Sequence, residues 1–213
     1  MKTKYIIFDL DDTLIYEIDF LKSAYKEIAE RLDKRNQQIL FQKMLLMYEE
    51  GENVFEFLTK TYTKFTKDQL LLLYRNHFPI IKLNEGALEL LNVCKSKGYK
   101  LGLITDGRSV TQRNKLKALE IEELFDKIII SEEFGSTKPN DSNFNVFIQE
   151  EISEYFYIAD NPMKDFVIPN KYGWTSICLK DKGYNVHLQQ FDKATEFQPK
   201  ICIETLKEVI GLI

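Results

Sequence analysis

Three carboxylates, Asp9, Asp11 and Asp12, fall within four residues directly after the apolar run Tyr5-Ile6-Ile7-Phe8. Such a run reads as a fully buried strand. Carboxylates crowded at its end raise one another's pKa and are costly to keep ionised without a cation. Either a metal ion or a lysine sits there, or Asp9 and Asp11 swing out to water. Further polar groups follow later apolar runs. Thr105-Asp106-Gly107 follows Leu101-Gly-Leu-Ile104, Lys138 lies in the loop beyond Ile128-Ile-Ile130, and Asp160 follows Tyr155-Phe-Tyr-Ile158.

These residue types suggest one chemistry. An ionised aspartate is already nucleophilic, needs no histidine to activate it, and is the group used to form aspartyl-phosphates. Oxygen donors without sulfur or imidazole suit a hard cation such as Mg²⁺, and Asp9 with Asp160 provides that seat. Lys138 and the Thr105 hydroxyl, joined by backbone N–H groups near Asp106 and Gly107, can hold phosphoryl oxygens. Asp11 can give a proton to the leaving oxygen and later take one from water. Asp12 is expected to turn the chain. His77 and His187 are not needed, and both read as structural or surface residues.

Elements must bring these groups together. From Glu85 helices and strands alternate: a helix to Ser96 stopped by Gly98, the strand Leu101–Ile104, a helix from Ser109 to Leu119, and the strand Ile128–Ile130. A helix near Asn143–Glu150, the strand Tyr155–Ile158, a short helix and the strand Thr175–Cys178 come next. The tail reads as an extended Ala194–Phe197 and an amphipathic helix carrying Ile203, Leu206, Val209 and Ile210. Alternation of this kind implies a doubly wound, Rossmann-like parallel α/β sheet. Ligands of such sheets bind outside the carboxyl ends of the strands. The polar strand ends converge there, which favours a functional site over a solvated turn.

Glu17–Phe78 interrupts this pattern with one glycine, no proline and helical spacing throughout. Asn53 fits an N-cap and Thr66-Lys-Asp-Gln69 a capping box, so about four helices are expected. The domains are then 1–15 with 83–213 as a discontinuous catalytic core, and 16–82 as an α-helical cap. Hinges are expected near Ile15–Tyr16 and Pro79–Leu83. Tyr16, Glu17, Phe20, Tyr48 and Phe55 are the cap residues that could select a leaving group.

Hydrophobic residues at 44% and charged residues at 29% suit a folded globular chain. A net charge of −4 without a basic run argues against nucleic acid as partner. No apolar run approaches the roughly 20 residues that span a bilayer, and the Met-Lys-Thr-Lys start does not read as a signal peptide. Cys94, Cys178 and Cys202 lack CxxC spacing, which suggests buried, reduced thiols in a cytoplasmic protein and no zinc site. A monomer is the default expectation.

Asp9-Leu-Asp11-Asp12-Thr13, Thr105-Asp-Gly, Lys138-Pro139 and Asp160-Asn-Pro-Met-Lys-Asp165 resemble, in order, the four motifs of the haloacid dehalogenase superfamily. The helical insertion is similar to that of its subclass with an α-helical cap. The resemblance implies Asp9 as nucleophile, Asp11 as general acid/base, and Thr105 and Lys138 as phosphate ligands. It implies Mg²⁺ held by Asp9, the Asp11 carbonyl and Asp160. Asp165 would be a metal ligand through water or a partner for Lys138. Asp106 departs from the usual Asn and must point away from the phosphate, and Ala159 replaces a common Gly. Retention of Asp11 favours a phosphate ester over a halide as leaving group. A phosphonate cleaver would need a cap lysine such as Lys22, Lys26 or Lys43. A receiver module does not fit, because its phosphorylated aspartate follows a later strand. The implied activity is Mg²⁺-dependent hydrolysis of a small phosphorylated metabolite through an aspartyl-phosphate. A sugar-phosphate mutase and a catalytically silent phosphate-binding protein are the alternatives.

Overall fold

The computed structural model describes residues 3–213, so Met1 and Lys2 of the basic start lie outside the described residues. The first strand, β1 (Thr3–Phe8), lies inside a sheet of six parallel strands in the order β3-β2-β1-β4-β5-β6. The others are β2 (Lys100–Thr105), β3 (Lys127–Ile130), β4 (Ile152–Ala159), β5 (Thr175–Leu179) and β6 (Ile201–Ile203). Both faces of the sheet are covered, and the strands read accordingly as continuous apolar runs. Side chains alternate across β1: Ile6 and Phe8 pack with Leu90, Leu91 and Leu103, while Tyr5 and Ile7 pack with Phe144, Phe147 and Tyr157. Gly102 in β2 is required on the second face. A Cβ there would come within 2.5 Å of the Phe147 ring and 3.1 Å of Ile7.

Four helices stand between β1 and the rest of the sheet: α1 (Glu17–Leu32), α2 (Gln37–Glu49), α3 (Val54–Thr61) and α4 (Lys67–Asn76). They share a separate apolar cluster built on Leu21, Tyr25, Ile28, Met44, Leu58 and Leu70. Their starts are fixed as the side chains suggest. Asn53 accepts from the Glu56 N–H, and Thr66 with Gln69 forms a reciprocal capping box. The chain then builds α5 (Ala87–Ser96), α6 (Ser109–Ala118), α7 (Ser131–Phe134), α8 (Asp141–Asn145) and α9 (Val167–Lys171) around the sheet. Among the described residues no helix is long and apolar enough to cross a membrane.

The structure corrects four expectations about the fold. The helix near Asn143–Glu150 is only α8, because β4 reaches back to Ile152. The Tyr155 hydroxyl accepts from the Gln149 N–H and donates to the Gln149 carbonyl, tying the intervening turn. In the tail, Thr195–Phe197 is a 3-10 turn rather than extended, and Ile203 ends strand β6. The expected helix is a 3-10 segment, Leu206–Gly211. Ile203 is two residues from Ile201 and three from Leu206, so its spacing fits a short edge strand as well as a helix. Cys94 and Cys178 are buried thiols, but Cys202 is exposed on that edge strand.

Candidate active site

The carboxyl ends of β1, β2 and β4 and the loops beyond β3 open on one edge of the sheet, as parallel pairing requires. There Asp9 meets Lys138, with Asp9 Oδ1 2.9 Å from Lys138 Nζ, and Asp165 Oδ1 lies 2.7 Å from the same ammonium. Lys138 Nζ also donates to the Tyr157 hydroxyl (3.3 Å), which in turn donates to Asp165 Oδ1 (3.1 Å). The remaining Asp165 oxygen accepts the Asn161 N–H (3.1 Å). All four side chains are buried. Burial would neutralise the lysine, but Asp165 and Asp9 outweigh it and hold its pKa well above the ordinary value. Of the two roles open to Asp165, the geometry favours partner to Lys138.

Carboxylate oxygens of Asp9, Asp160 and Asp165 come within 4.8 Å of one another. Burial, with Asp165 adding repulsion against the pull of Lys138, pushes the Asp9 carboxyl up to about 6. Burial, then Asp165, Asp9 and Asp12, drives Asp160 well above the carboxylate range. A divalent cation would relieve both, and an all-oxygen donor set suits a hard one. The residues therefore fit a metal seat with Asp9 and Asp160 as its carboxylates. Asn185 Nδ2 donates to Asp160 Oδ2 (2.9 Å), and Gln189 Nε2 donates to the Asp160 carbonyl (2.7 Å).

Asp11 turns the other way. Lys115 Nζ is 2.6 Å from its Oδ1, and Gln112 Nε2 donates to its Oδ2 (2.8 Å). The same Gln112 nitrogen donates to Thr105 Oγ1 at 2.5 Å. With its carboxylate on α6, Asp11 has only its carbonyl to offer a metal. Asp12 adopts a left-handed backbone (φ 54°), which Asp tolerates better than most residues. Its Oδ1 accepts the Glu17 N–H at the start of α1 and its Oδ2 the Val186 N–H, both at 2.9 Å. Asp12 thus turns the chain and ties two segments to the site.

Asp106 lines the same pocket as Asp9, and two lysines engage its carboxylate. Its Oδ1 accepts the Lys138 N–H (3.1 Å) and its Oδ2 lies 3.4 Å from Lys164 Nζ. Burial and Lys138 press the Lys164 ammonium down, yet Asp9, Asp165 and Asp106 keep its pKa raised. The Gly107 N–H donates to Ser131 Oγ (2.9 Å), so in this structure it is engaged by a side chain. A Cβ on Gly107, at φ 150°, would press Gln112 at 3.2 Å.

Asp9, Asp11, Asp12, Thr105, Asp106 and Asp160 line a pocket of about 200 Å³ with Glu17, Asn161, Lys164 and His187. His187, read from the sequence as structural or surface, is exposed and stands at this rim, because the Asp12 to Val186 bond folds its loop over the site. His77 is structural as expected, buried with Nε2 2.7 Å from Ser23 Oγ and Nδ1 paired to Glu27. Of the five insert candidates only Glu17 lines this pocket. Burial and the neighbouring Asp11 push its carboxyl up to about 7. Tyr16 lies against Tyr184, Phe20 against Tyr74, and Tyr48 and Phe55 against Tyr25. Sequence reasoning missed Gln112, Lys115 and Lys164. Lys164 sits inside a recognised motif, whereas the only trace of the other two is their spacing of three on α6.

The sequence profile of the haloacid dehalogenase-like hydrolases matches residues 6–178. Glyceraldehyde 3-phosphate phosphatase of Methanocaldococcus jannaschii is 26% identical, over 99% of this chain and 96% of its own. Among solved structures, a HAD phosphatase from Thermococcus onnurineus superposes with a TM-score of 0.61 at 20% identity, covering 100% of this chain and 97% of that one. The HAD-type YfnB of Bacillus subtilis, bound to magnesium, superposes with a TM-score of 0.65 at 20% identity, covering 100% and 99%. The chain belongs to the haloacid dehalogenase-like hydrolases, and its relatives along nearly its whole length set it among the phosphatases of that family.

Proposed function

We propose that this protein is a Mg²⁺-dependent phosphatase that hydrolyses a small phosphate monoester through a phosphorylated Asp9. The observation that carries this reading is the meeting of Asp9, Asp160, Thr105 and Lys138 on one sheet edge, with Asp11 beside them. Asp9 attacks phosphorus, a new P–O bond forms, and the electron pair of the breaking ester bond leaves on the substrate oxygen, which takes a proton from Asp11. Water then attacks the phosphorus, Asp11 takes its proton, and the Asp9 carboxylate departs with its electron pair. Thr105 and Lys138 hold the phosphoryl oxygens throughout. Bound to Asp9, Asp160 and the Asp11 carbonyl, Mg²⁺ would neutralise charge on the phosphoryl group.

The reading extends to the domains. Residues 1–15 with 83–213 form the core, and 16–82 act as a cap that closes over the site and excludes water. The pocket volume and polar lining favour a short polyhydroxylated or aldehyde phosphate. Kinship to glyceraldehyde 3-phosphate phosphatases supports a three-carbon substrate. Lys22, Lys26 and Lys43 are exposed and do not line this pocket, which disfavours Schiff-base chemistry. Phosphate release from glyceraldehyde 3-phosphate, hexose phosphates, nucleotides and p-nitrophenyl phosphate tests the reading. Turnover should favour the triose, require Mg²⁺ and stop with chelator. No release from any member of the panel would refute it.

A further inference from the structure

We propose that Lys115 and Gln112 are positioning residues that aim the Asp11 carboxylate for its proton transfers. The proposal rests on the phosphatase reading above.

A carboxylate on a turn can rotate about its last torsion. Here each oxygen has its own donor, Lys115 on Oδ1 and Gln112 on Oδ2, which fixes both its direction and its plane. Gln112, 1% exposed, also spans to Thr105 Oγ1. The proton carrier and a phosphate ligand therefore share one anchor, and their spacing follows from one side chain. Lys115 is 2% exposed, and its ammonium lies 4.7 Å from the Phe20 ring centre and 2.6 Å from Asp11. A buried ammonium adds little net stability compared with an apolar residue, so packing alone gives no reason for one in this place. Nor is Lys115 needed to neutralise the Asp9, Asp160 and Asp165 cluster. Lys138 bonds directly to Asp9 and Asp165, and Lys164 faces the same pocket.

The anchor is itself held. Thr111 Oγ1 donates to the Arg75 carbonyl (2.9 Å), and Asn114 Nδ2 donates to the carbonyls of Asn76 (3.2 Å) and His77 (3.1 Å). One helix thus grips the end of α4, where the insert returns to the sheet, and, through the residues next to Thr111 and Asn114, the proton carrier. Positioned groups depend on such supports, and small misplacements cost rate disproportionately.

An aryl phosphate separates aim from general damage. Nitrophenolate departs without a proton, so phospho-Asp9 forms without help from Asp11, whereas its hydrolysis still needs Asp11. Wild type, Lys115→Met and Gln112→Ala are mixed rapidly with p-nitrophenyl phosphate and Mg²⁺. Both variants should show a burst approaching one nitrophenolate per site, then a steady rate at least about tenfold below wild type. Loss of both phases together, or a steady rate within about twofold of wild type and no burst, would overturn the proposal. If Lys115→Met fails to fold by circular dichroism, Gln112→Ala, which leaves the ammonium paired, decides alone. A wild type that releases no phosphate from any member of the panel above overturns the phosphatase reading and this one with it. An active wild type with indifferent variants overturns this one only.

Discussion

The catalytic rim of the sheet and the interior of the helical insert are about equally buried and are held by opposite physics. At the rim Asp9, Asp160, Asp165, Lys138 and Lys115 are at most 5% exposed; Lys138 pairs with Asp9 and Asp165, and Lys115 with Asp11. In the insert, Tyr25 meets Tyr48, Phe55 and Tyr74 at ring separations of 6.2 to 6.5 Å, and the cluster around it carries no charge. Aromatic pairs of this kind add about 0.5–1.5 kcal/mol each beyond burial. Buried ion networks add little net stability and fail badly when a lost partner leaves the other charge uncompensated. The rim is therefore arranged for chemistry and responds to pH and cations, whereas the insert's apolar cluster supplies stability that neither condition alters.

The sharpest way to break this contrast is a pair of substitutions. Asp9→Asn should lower turnover about 10³-fold or more, since no other nucleophile replaces it. Its melting temperature should hold, because the swap removes a buried charge while Lys138 keeps Asp165. Leu58→Ala should do the reverse. Leu58 is fully buried in the insert, so its loss is expected to cost about 2–5 kcal/mol in denaturant unfolding while the folded fraction keeps most of its rate. Full turnover in Asp9→Asn would remove Asp9 from its role. A collapse in the rate of folded Leu58→Ala would mean the two regions are not separable.

Acidity probes the same contrast more gently. The Glu17 carboxyl is raised from 4.5 to about 7, chiefly by burial and then by Asp11, with Lys115 opposing. The folded state therefore binds more protons than the unfolded chain between those values, and stability must fall as pH rises through that window. Glu17→Gln removes this slope. Near pH 4.5 variant and wild type should melt together. At about pH 8 the variant should be more stable by on the order of 1 kcal/mol, a figure reduced for the partial exposure of the side chain. Substitutions in the insert's apolar cluster, such as Leu58→Ala, should show no such pH dependence, and equal shifts at both pH values would discount the burial of Glu17 as the cause.

The two regions also differ in how far the sequence discloses them. The insert was legible from spacing, since Asn53 and Thr66 cap helices by strictly local rules. Strands β1, β2 and β4 were legible because both faces are buried. At the rim, Asp9, Thr105, Lys138 and Asp160 could be read from a chemistry that demands those types at strand ends. Lys115 and Gln112 could not, because they reach Asp11 across 104 and 101 residues from a helix that is polar on several faces. β6 escaped for a related reason. Three residues at a sheet edge acquire a period only from pairing with β5, a long-range contact without a local signal.

The smallest effect is expected at Thr13, which belongs to the rim by position and to the insert by physics. It is fully buried, and among the described residues its Oγ1 has no hydrogen-bond partner. A buried hydroxyl left unpaired costs about 1–3 kcal/mol in mutational series, and valine keeps the branched shape without it. Thr13→Val should therefore leave turnover unchanged and raise unfolding stability by up to about 1 kcal/mol, as an apolar site would. Denaturant unfolding with and without Mg²⁺ checks this. A variant that is less stable, or that loses its stabilisation by Mg²⁺, would mean that the Thr13 hydroxyl gains a partner once the site is filled. The polar network of the rim would then extend one residue further along the first loop.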